Sequence, residues 1–419
     1  MIIFFLVPFH AFLTVLISSN FGHYTALRLW KEVLLCVCVI GSVYLLITDH
    51  KIRFHTLSRR LVWLIFGYMI LNIVWGLLAL NQHDVTAKAL GYGLIVNLRF
   101  LAFFLVTWSV ALRMSRLRAN WQKLVLWPAV GVVVFGILQF IVLPNDFLRH
   151  FGYGPGTIVP FETINHNQNY IRIASTLRGA NPLGAYLVIP ISLLSVLLLR
   201  KGRNWRQGLL LAGSTAALLF SFSRSAWIGA VLAVVTILII SPLSKNARKI
   251  AIGSSVLTLV IAVTLGLSLR HNMRFENFAF HTQTNSEIKH SSNQGHITAL
   301  KNGLSDARHH PLGDGPGTAG PASVYNNHPS RIAENYFVQI AQETGWLGLI
   351  FFLLINVGVG FLLWSRRADP LALSLFASLI GLTFINLLAH AWADDTLAYV
   401  WWGLAGIAMA PDLRAKSEG

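Results

Sequence analysis

Residues 61–80 read LVWLIFGYMILNIVWGLLAL. Twenty consecutive residues carry no charge, and their two tryptophans stand near the ends. At about 1.5 Å per helical residue this stretch spans roughly 30 Å, the thickness of a bilayer's hydrocarbon core. Working outward, the same pattern recurs along the chain. Of 419 residues, 55% are hydrophobic and only 12% charged, where a soluble domain has about 25% charged. Mean hydropathy is +0.60. The chain reads as one polytopic membrane domain over 1–419. Spans are expected at 2–19, 29–48, 61–80, 92–112, 124–143, 182–199, 208–222, 225–240, 250–269, 345–364, 371–389 and 397–411. That is an all-α bundle of about twelve transmembrane helices. The N-terminal run has no small-residue cleavage site and reads as the first span. Cys36 and Cys38 lie two apart in one helix and read as packing residues.

The formal net charge is +17, but its distribution argues against nucleic acid. More than half of the Lys and Arg lie in short loops after every second span: DHKIRFHTLSRR, RMSRLRANWQK, RKGRNWRQ, SPLSKNARK and WSRRA, with the tail LRAKSEG. By the positive-inside rule these loops and both termini are cytoplasmic. Trp63, Trp121, Trp127, Trp205, Trp364, Trp401 and Trp402 fall near span ends, as an interfacial belt does. Two long loops, 144–181 and 270–344, are then left on the outer face, and each is expected to fold over the bundle as a lid.

Several arginines break the basic-inside trend. Arg178 precedes the sixth span, and Arg224 sits in the polar turn SFSRS. Arg270 and Arg274 open the large loop, and Arg172 and Arg331 lie in the outer loops. A snorkelling side chain accounts for some of these. A guanidinium at membrane level is costly unless it faces a cavity or partner. A cluster of guanidiniums at the interface suits a diphosphate, whose oxygens match the planar fork of donors. GDGPGTAG (313–320) lacks the Lys-Ser/Thr of a nucleotide loop and reads as a tight turn. No ligand spacing suggests a metal site, and no cofactor is expected. In RIAENYF (331–337), Ser330 can cap a helix starting at Arg331, which would group Arg331, Glu334 and Asn335 on one face.

Four motifs occur in order: TLRGANPLGAYL, SFSRSAWIG, HPLGDGPGTAG and ENYFVQIAQETGWLGL. Over roughly 165–350 the chain thereby resembles the O-antigen ligase and polymerase family of membrane glycosyltransferases. The resemblance implies a fold similar to the metal-independent integral membrane (GT-C-like) glycosyltransferases. It implies a bacterial inner-membrane enzyme that moves a glycan from undecaprenyl diphosphate to a glycan or lipid-linked acceptor hydroxyl at the periplasmic face. It further implies that Arg224, Arg178 and one of Arg270 and Arg274 hold the diphosphate; Arg331, as an outer-loop arginine, is a further candidate for donor binding. Where the ligase branch has its histidine base, this sequence has Glu334, with His328 out of register. An acidic residue followed by Asn335 there resembles the polymerase and other glycan-transfer branches, so ligase and polymerase both stay open. A transporter or flippase of lipid-linked saccharide is the competing class. Such folds carry internal repeats and midplane charges, whereas here the unusual charges gather on one side. A scaffold of an envelope assembly is the third reading.

Overall fold

The computed structural model describes residues 1–164, 167–202, 204–241 and 292–410. Long apolar runs become helices wherever they are described. These are α1 (Ile2–Phe21, with a 3-10 turn at Pro8), α2 (Trp30–Thr48), α3 (Arg60–Asn81), α4 (Ala87–Arg113) and α5 (Trp121–Ile141). They continue with α6 (Ala180–Lys201), α7 (Trp205–Phe220) and α8 (Arg224–Ile240), then the polar α9 (Ser292–His309). The last three are α10 (Tyr336–Ser365), α11 (Pro370–Asn386) and α12 (Asp395–Met409). Among the described residues, seven helices are long and apolar enough to cross a membrane, and α8 and α11 are shorter apolar helices. Every expected span within the described residues falls on a helix; 250–269 lies outside them. The chain is a multi-pass, mostly helical membrane protein. One feature departs from all-α: within 144–181, β1 (Glu162–Ile164) and β2 (Asn167–Arg172) pair antiparallel.

Small residues set the closest helix crossings, as is usual where lipid removes the hydrophobic drive between helices. α8 meets α11 at Gly229 and Gly381, and α12 meets α4 where Gly406 lies against Thr107. Trp392, Trp401 and Trp402 form an aromatic cluster with ring centroids 5.1–5.7 Å apart. Trp401 and Trp402 are therefore core residues and not part of an interfacial belt: both are fully buried, and the Trp401 indole donates to Ser378 Oγ at 3.0 Å. Trp63, Trp127, Trp205 and Trp364 are exposed as the belt requires. Of the cysteines, Cys38 packs on the core and Cys36 is exposed.

α10 is broken at Gly345, whose φ is 67°. A break in a helix leaves backbone groups without their intrahelical partners. Residues 311–317 fill that need. Trp346 N–H donates to Pro311 O at 3.0 Å, and Gly315 and Asp314 N–H donate to Glu343 O and Gln342 O at 2.8 and 2.9 Å. The buried Glu343 carboxylate accepts from Gly317 N–H at 2.9 Å and from Asn97 at 2.7 Å. GDGPGTAG is a turn, as expected, but one tucked between α3, α4 and α10. Its fit demands glycine: Gly317 has φ 92°, and a Cβ there would strike the Ala89 carbonyl.

Candidate functional site

The turns before α2, α4, α6, α8, α10 and α12 lie at one end of the bundle. Among the described residues, the non-glycine residues with positive φ are His23, His83, Ser175, Phe222 and Glu334. All five stand in turns at that end. Such backbone costs of order 1 kcal/mol per residue and concentrates at functional sites.

The start of α10 corrects the expected one. The helix begins at Tyr336, not Arg331, and Asn335 is its N-cap, accepting from Val338 N–H at 3.0 Å. The Arg331 carbonyl, which a helix from Arg331 would direct to Asn335, instead accepts from Gly320 N–H at 2.8 Å, and Arg331 N–H donates to Ser323 Oγ at 3.1 Å. The chain therefore reaches α10 in irregular form, with Glu334 at φ 51°. Arg331, Glu334 and Asn335 share no helical face. Arg331 clamps the strap formed by residues 311–317 to α9: Nε donates to Asp306 of α9 at 3.1 Å and Nη1 to Asp314 of the strap at 2.5 Å. Against the effect of burial, these carboxylates raise its pKa. Asn335 also donates from Nδ2 to Leu387 O at 2.9 Å, tying α10 to the end of α11. His328 is exposed and reaches Asp84 O in the α3–α4 turn at 3.4 Å, away from the partners of Glu334.

Glu334 pairs with His296 from α9, and both side chains are part-exposed, 37% and 46%. That bond holds the Glu334 carboxyl below its ordinary pKa. His390, in the turn before α12, is within electrostatic range of Arg178, Glu334 and His296. Burial first, and Arg178 second, push its pKa down to about 4, so at neutral pH its ring is uncharged. Arg178 is 45% exposed and stands 3.8 Å from the buried Asp394, whose other oxygen caps α12 through Leu397 N–H at 3.2 Å. One carboxylate, one cation and two imidazoles thus converge in a part-open setting, with Asp394 behind Arg178.

A second group lies at the same end. Arg172 donates to Ser221 O at 2.9 Å and to Asn181 Oδ1 at 2.6 Å, and faces Glu162 at 3.4 Å. It binds the hairpin to the α7–α8 turn. Arg224 opens α8 within electrostatic range of Arg172. Arg270 and Arg274 lie outside the described residues. Sequence reading brought Arg178 and Glu334 to one end but missed His296, His390 and Asp394. HAWADD (390–395) held the available signal: a histidine and two aspartates between two apolar helices. It fell in the gap between two spans.

Below this lies a charge network the sequence did not suggest. Asp395 pairs with Arg99, with Lys31 at 2.9 Å and with His10 at 3.2 Å; Glu32 pairs with Lys31 at 3.1 Å and Arg99 at 3.3 Å. His10 Nδ1 accepts from the Trp30 indole at 2.9 Å. Its Nε2 therefore carries the proton toward Asp395. With His10 neutral, two cations meet two anions and the formal charge is zero.

Residues 207–353 match the family model described as O-antigen ligase. No curated protein matches the chain. The matched region runs from α7 through the break in α10 and contains Arg224, His296, the glycine strap, Arg331, Glu334 and Asn335. The match covers residues 207–353 of 419, and over that stretch the chain is similar to the O-antigen ligase model.

Proposed function

We propose that the protein is a glycosyltransferase that moves a glycan from an undecaprenyl diphosphate donor to an acceptor hydroxyl at the outer face of a bacterial inner membrane. In this reading Arg178 and Arg224, with Arg270 or Arg274, grip the diphosphate, and the aligned N-termini of α6 and α8 add to the positive field there. The acceptor oxygen attacks the anomeric carbon as the bond to the diphosphate oxygen breaks, so the sugar inverts. Arginines stabilise the charge that develops on the leaving diphosphate, as fixed donors do in other transfers. No metal is needed in that scheme. Glu334, ionised at neutral pH, takes the hydroxyl proton, and His296 holds its carboxylate in position. Arg331 acts on Glu334 through the strap, and Asn335 acts by capping α10. His328 is the reserve base should Glu334 prove inert. Ligase and polymerase both fit this scheme, since both present a hydroxyl to the same donor.

The observation that carries the reading is Glu334. A carboxylate in left-handed backbone is held by a histidine, and Arg178 and Glu334 both lie within electrostatic range of His390. The test is turnover of a lipid-linked oligosaccharide by pure protein in detergent, with no gradient and with EDTA present. Wild type should transfer the glycan, and Arg178→Ala should lose about ten- to a hundredfold in donor affinity, the scale of one charge-assisted contact. Arg224→Lys should also fall, because a point charge does not replace a planar fork. Flipping of the intact lipid-linked glycan across vesicles, with no transfer, would favour the transporter reading.

A further inference from the structure

Arg178 has neighbours at the same end of the bundle that the transfer scheme leaves unused. Arg28, in the turn before α2, and Tyr92, in the second turn of α4, lie within its electrostatic range. Tyr24 does too. These groups form one surface. Arg28 Nη2 donates to the Tyr92 hydroxyl at 2.6 Å, and the guanidinium stands 5.3 Å from the Tyr92 ring centroid and 5.9 Å from that of Tyr24. Tyr92 in turn meets Tyr325 edge to face, with centroids 5.4 Å apart and planes at 77°. Lys88 Nζ rests 4.4 Å from the Tyr325 centroid. Three phenol rings and two cations thus lead away from Arg178.

This wall is anchored through its backbone and open at its side chains. Thr86, the N-cap of α4, donates from Oγ1 to Tyr325 O at 3.0 Å, and its N–H donates to Asn326 Oδ1 at 3.0 Å. Lys31 of the inner network donates to Arg28 O at 2.8 Å. Tyr24, Arg28, Tyr92 and Tyr325 are half-buried, and Lys88 is exposed. Two of the strained residues, His23 and His83, stand in the turns that carry the wall. Its chemistry points to sugar. The face of an aromatic ring is electron-rich, and the C–H groups of a pyranose, made electron-poor by the sugar oxygens, stack on it. Guanidinium and ammonium groups donate to the oxygens at the sugar's rim. Tyrosine has two side-chain torsions to order, so such contacts come at low entropic cost.

We propose that Tyr24, Tyr92 and Tyr325, with Arg28 and Lys88, form a subsite for the donor glycan, stacking the sugars that follow the diphosphate and donating hydrogen bonds to their oxygens. The inference rests on the transfer reading: where Arg178 holds the diphosphate, the sugar joined to that diphosphate lies beside it, within reach of Tyr24 and Tyr92, and the next sugars reach Tyr325.

Two ligands bound by the full chain in detergent separate sugar from lipid: undecaprenyl diphosphate bearing an oligosaccharide, extracted from the native cells, and sugar-free undecaprenyl diphosphate. Wild type should bind the glycosylated lipid more tightly. Tyr325→Leu should weaken that ligand about three- to tenfold, the scale of one aromatic contact, and leave the sugar-free lipid unchanged. Tyr325→Phe keeps the ring and should bind both as wild type does. Thr86 grips the Tyr325 backbone, so the turn should survive the loss of the ring. Lys88→Gln, at an exposed position, is the companion variant and should weaken the glycosylated lipid severalfold, so the claim can fail even if Tyr325→Leu does not fold. Equal weakening of both ligands, or unchanged binding of the glycosylated lipid in the folded variants, overturns the subsite. So does a rise in the acceptor's KM with donor affinity unchanged, which would put the acceptor glycan on this wall. The transfer reading fails in a different way: if wild type binds the glycosylated lipid with this dependence on Tyr325 yet transfers nothing, the subsite stands and the chemistry does not.

Discussion

Asp394 and Asp395 are neighbours in sequence and serve opposite kinds of polar cluster. Asp395 turns inward, where every formal charge has a partner: Arg99, Lys31 and Glu32 are nearly inaccessible and the sum is zero. Asp394 turns toward Arg178, in a cluster that stays part-open, with an exposed guanidinium, an exposed imidazole and a strained carboxylate. Removing charges from water costs several kcal/mol each unless they are fully paired. The inner network gives every formal charge an opposite partner and so suits holding helices together. The outer cluster leaves hydrogen-bonding capacity pointing at solvent, which is what a substrate needs. Saturation therefore separates scaffold from site more sharply than distance along the chain does.

The largest expected effect is on the outer cluster. Glu334→Gln keeps the size and the left-handed backbone but cannot accept the acceptor proton. Turnover of lipid-linked oligosaccharide should fall about 10²–10⁴-fold, while donor affinity and thermal stability remain near wild type. Near-normal turnover would remove Glu334 from the chemistry and leave it a strained structural residue. The reverse pattern belongs to the inner network. Arg99→Gln strips both Asp395 and Glu32 of a partner, so chemical unfolding in detergent should show a loss of about 3–5 kcal/mol. If Arg99→Gln instead folds stably and loses only turnover, the division between scaffold and site fails.

This contrast also explains what the sequence could and could not reveal. Apolar runs such as 61–80 announce themselves by length and composition, so helices were legible almost throughout. Local signals misled where a tertiary bond took over. Ser330 reads as a cap, yet Gly320 captures the Arg331 carbonyl and moves the cap to Asn335. Trp401 and Trp402 have belt positions in sequence and core positions in space, because α12 is surrounded by other helices. Glu343 stands just before the expected span 345–364. Only the fold shows it bound to Gly317 and Asn97. His296 and His390 are 94 positions apart by their numbers, and no periodicity links them. The arginines were easier to find, since each broke a charge rule of its own local segment.

A smaller effect should follow pH. His390 titrates at about 4 in the fold, against 6.5 for an unperturbed ring. Between those values the unfolded chain binds the proton and the folded one does not, so stability must fall as pH drops from 6.5 toward 4. Above 6.5 neither state binds it and this contribution is flat. Each pH unit in the window is worth at most about 1.4 kcal/mol, and the half-buried setting of the ring reduces that. Comparing wild type with His390→Gln across pH 4–8 isolates the effect: the slope of midpoint against pH should be shallower in the variant. Identical slopes would mean that the Arg178 side of the cluster is open to water and counter-ions.

The smallest expected effect decides whether Asn335 belongs to the site or to the scaffold. Its Oδ1 caps α10 and its Nδ2 holds Leu387 O, so both ends of the amide are already engaged. A cap of this kind contributes about 1 kcal/mol, and serine replaces asparagine there at little loss. Asn335→Ala should therefore lose about 1 kcal/mol of stability, and Asn335→Ser should lose only a few tenths through the cap, plus the share of the Leu387 bond. If the amide only caps and ties, turnover will track stability, and Asn335→Ser will work nearly as well as wild type at a temperature where both are folded. If the amide touches substrate, Asn335→Ser will be stable yet slow, because a hydroxyl cannot supply acceptor and donor at the same separation. That result would move Asn335 across the boundary, and would show that a residue with both ends occupied in the resting protein exchanges one of them for the acceptor.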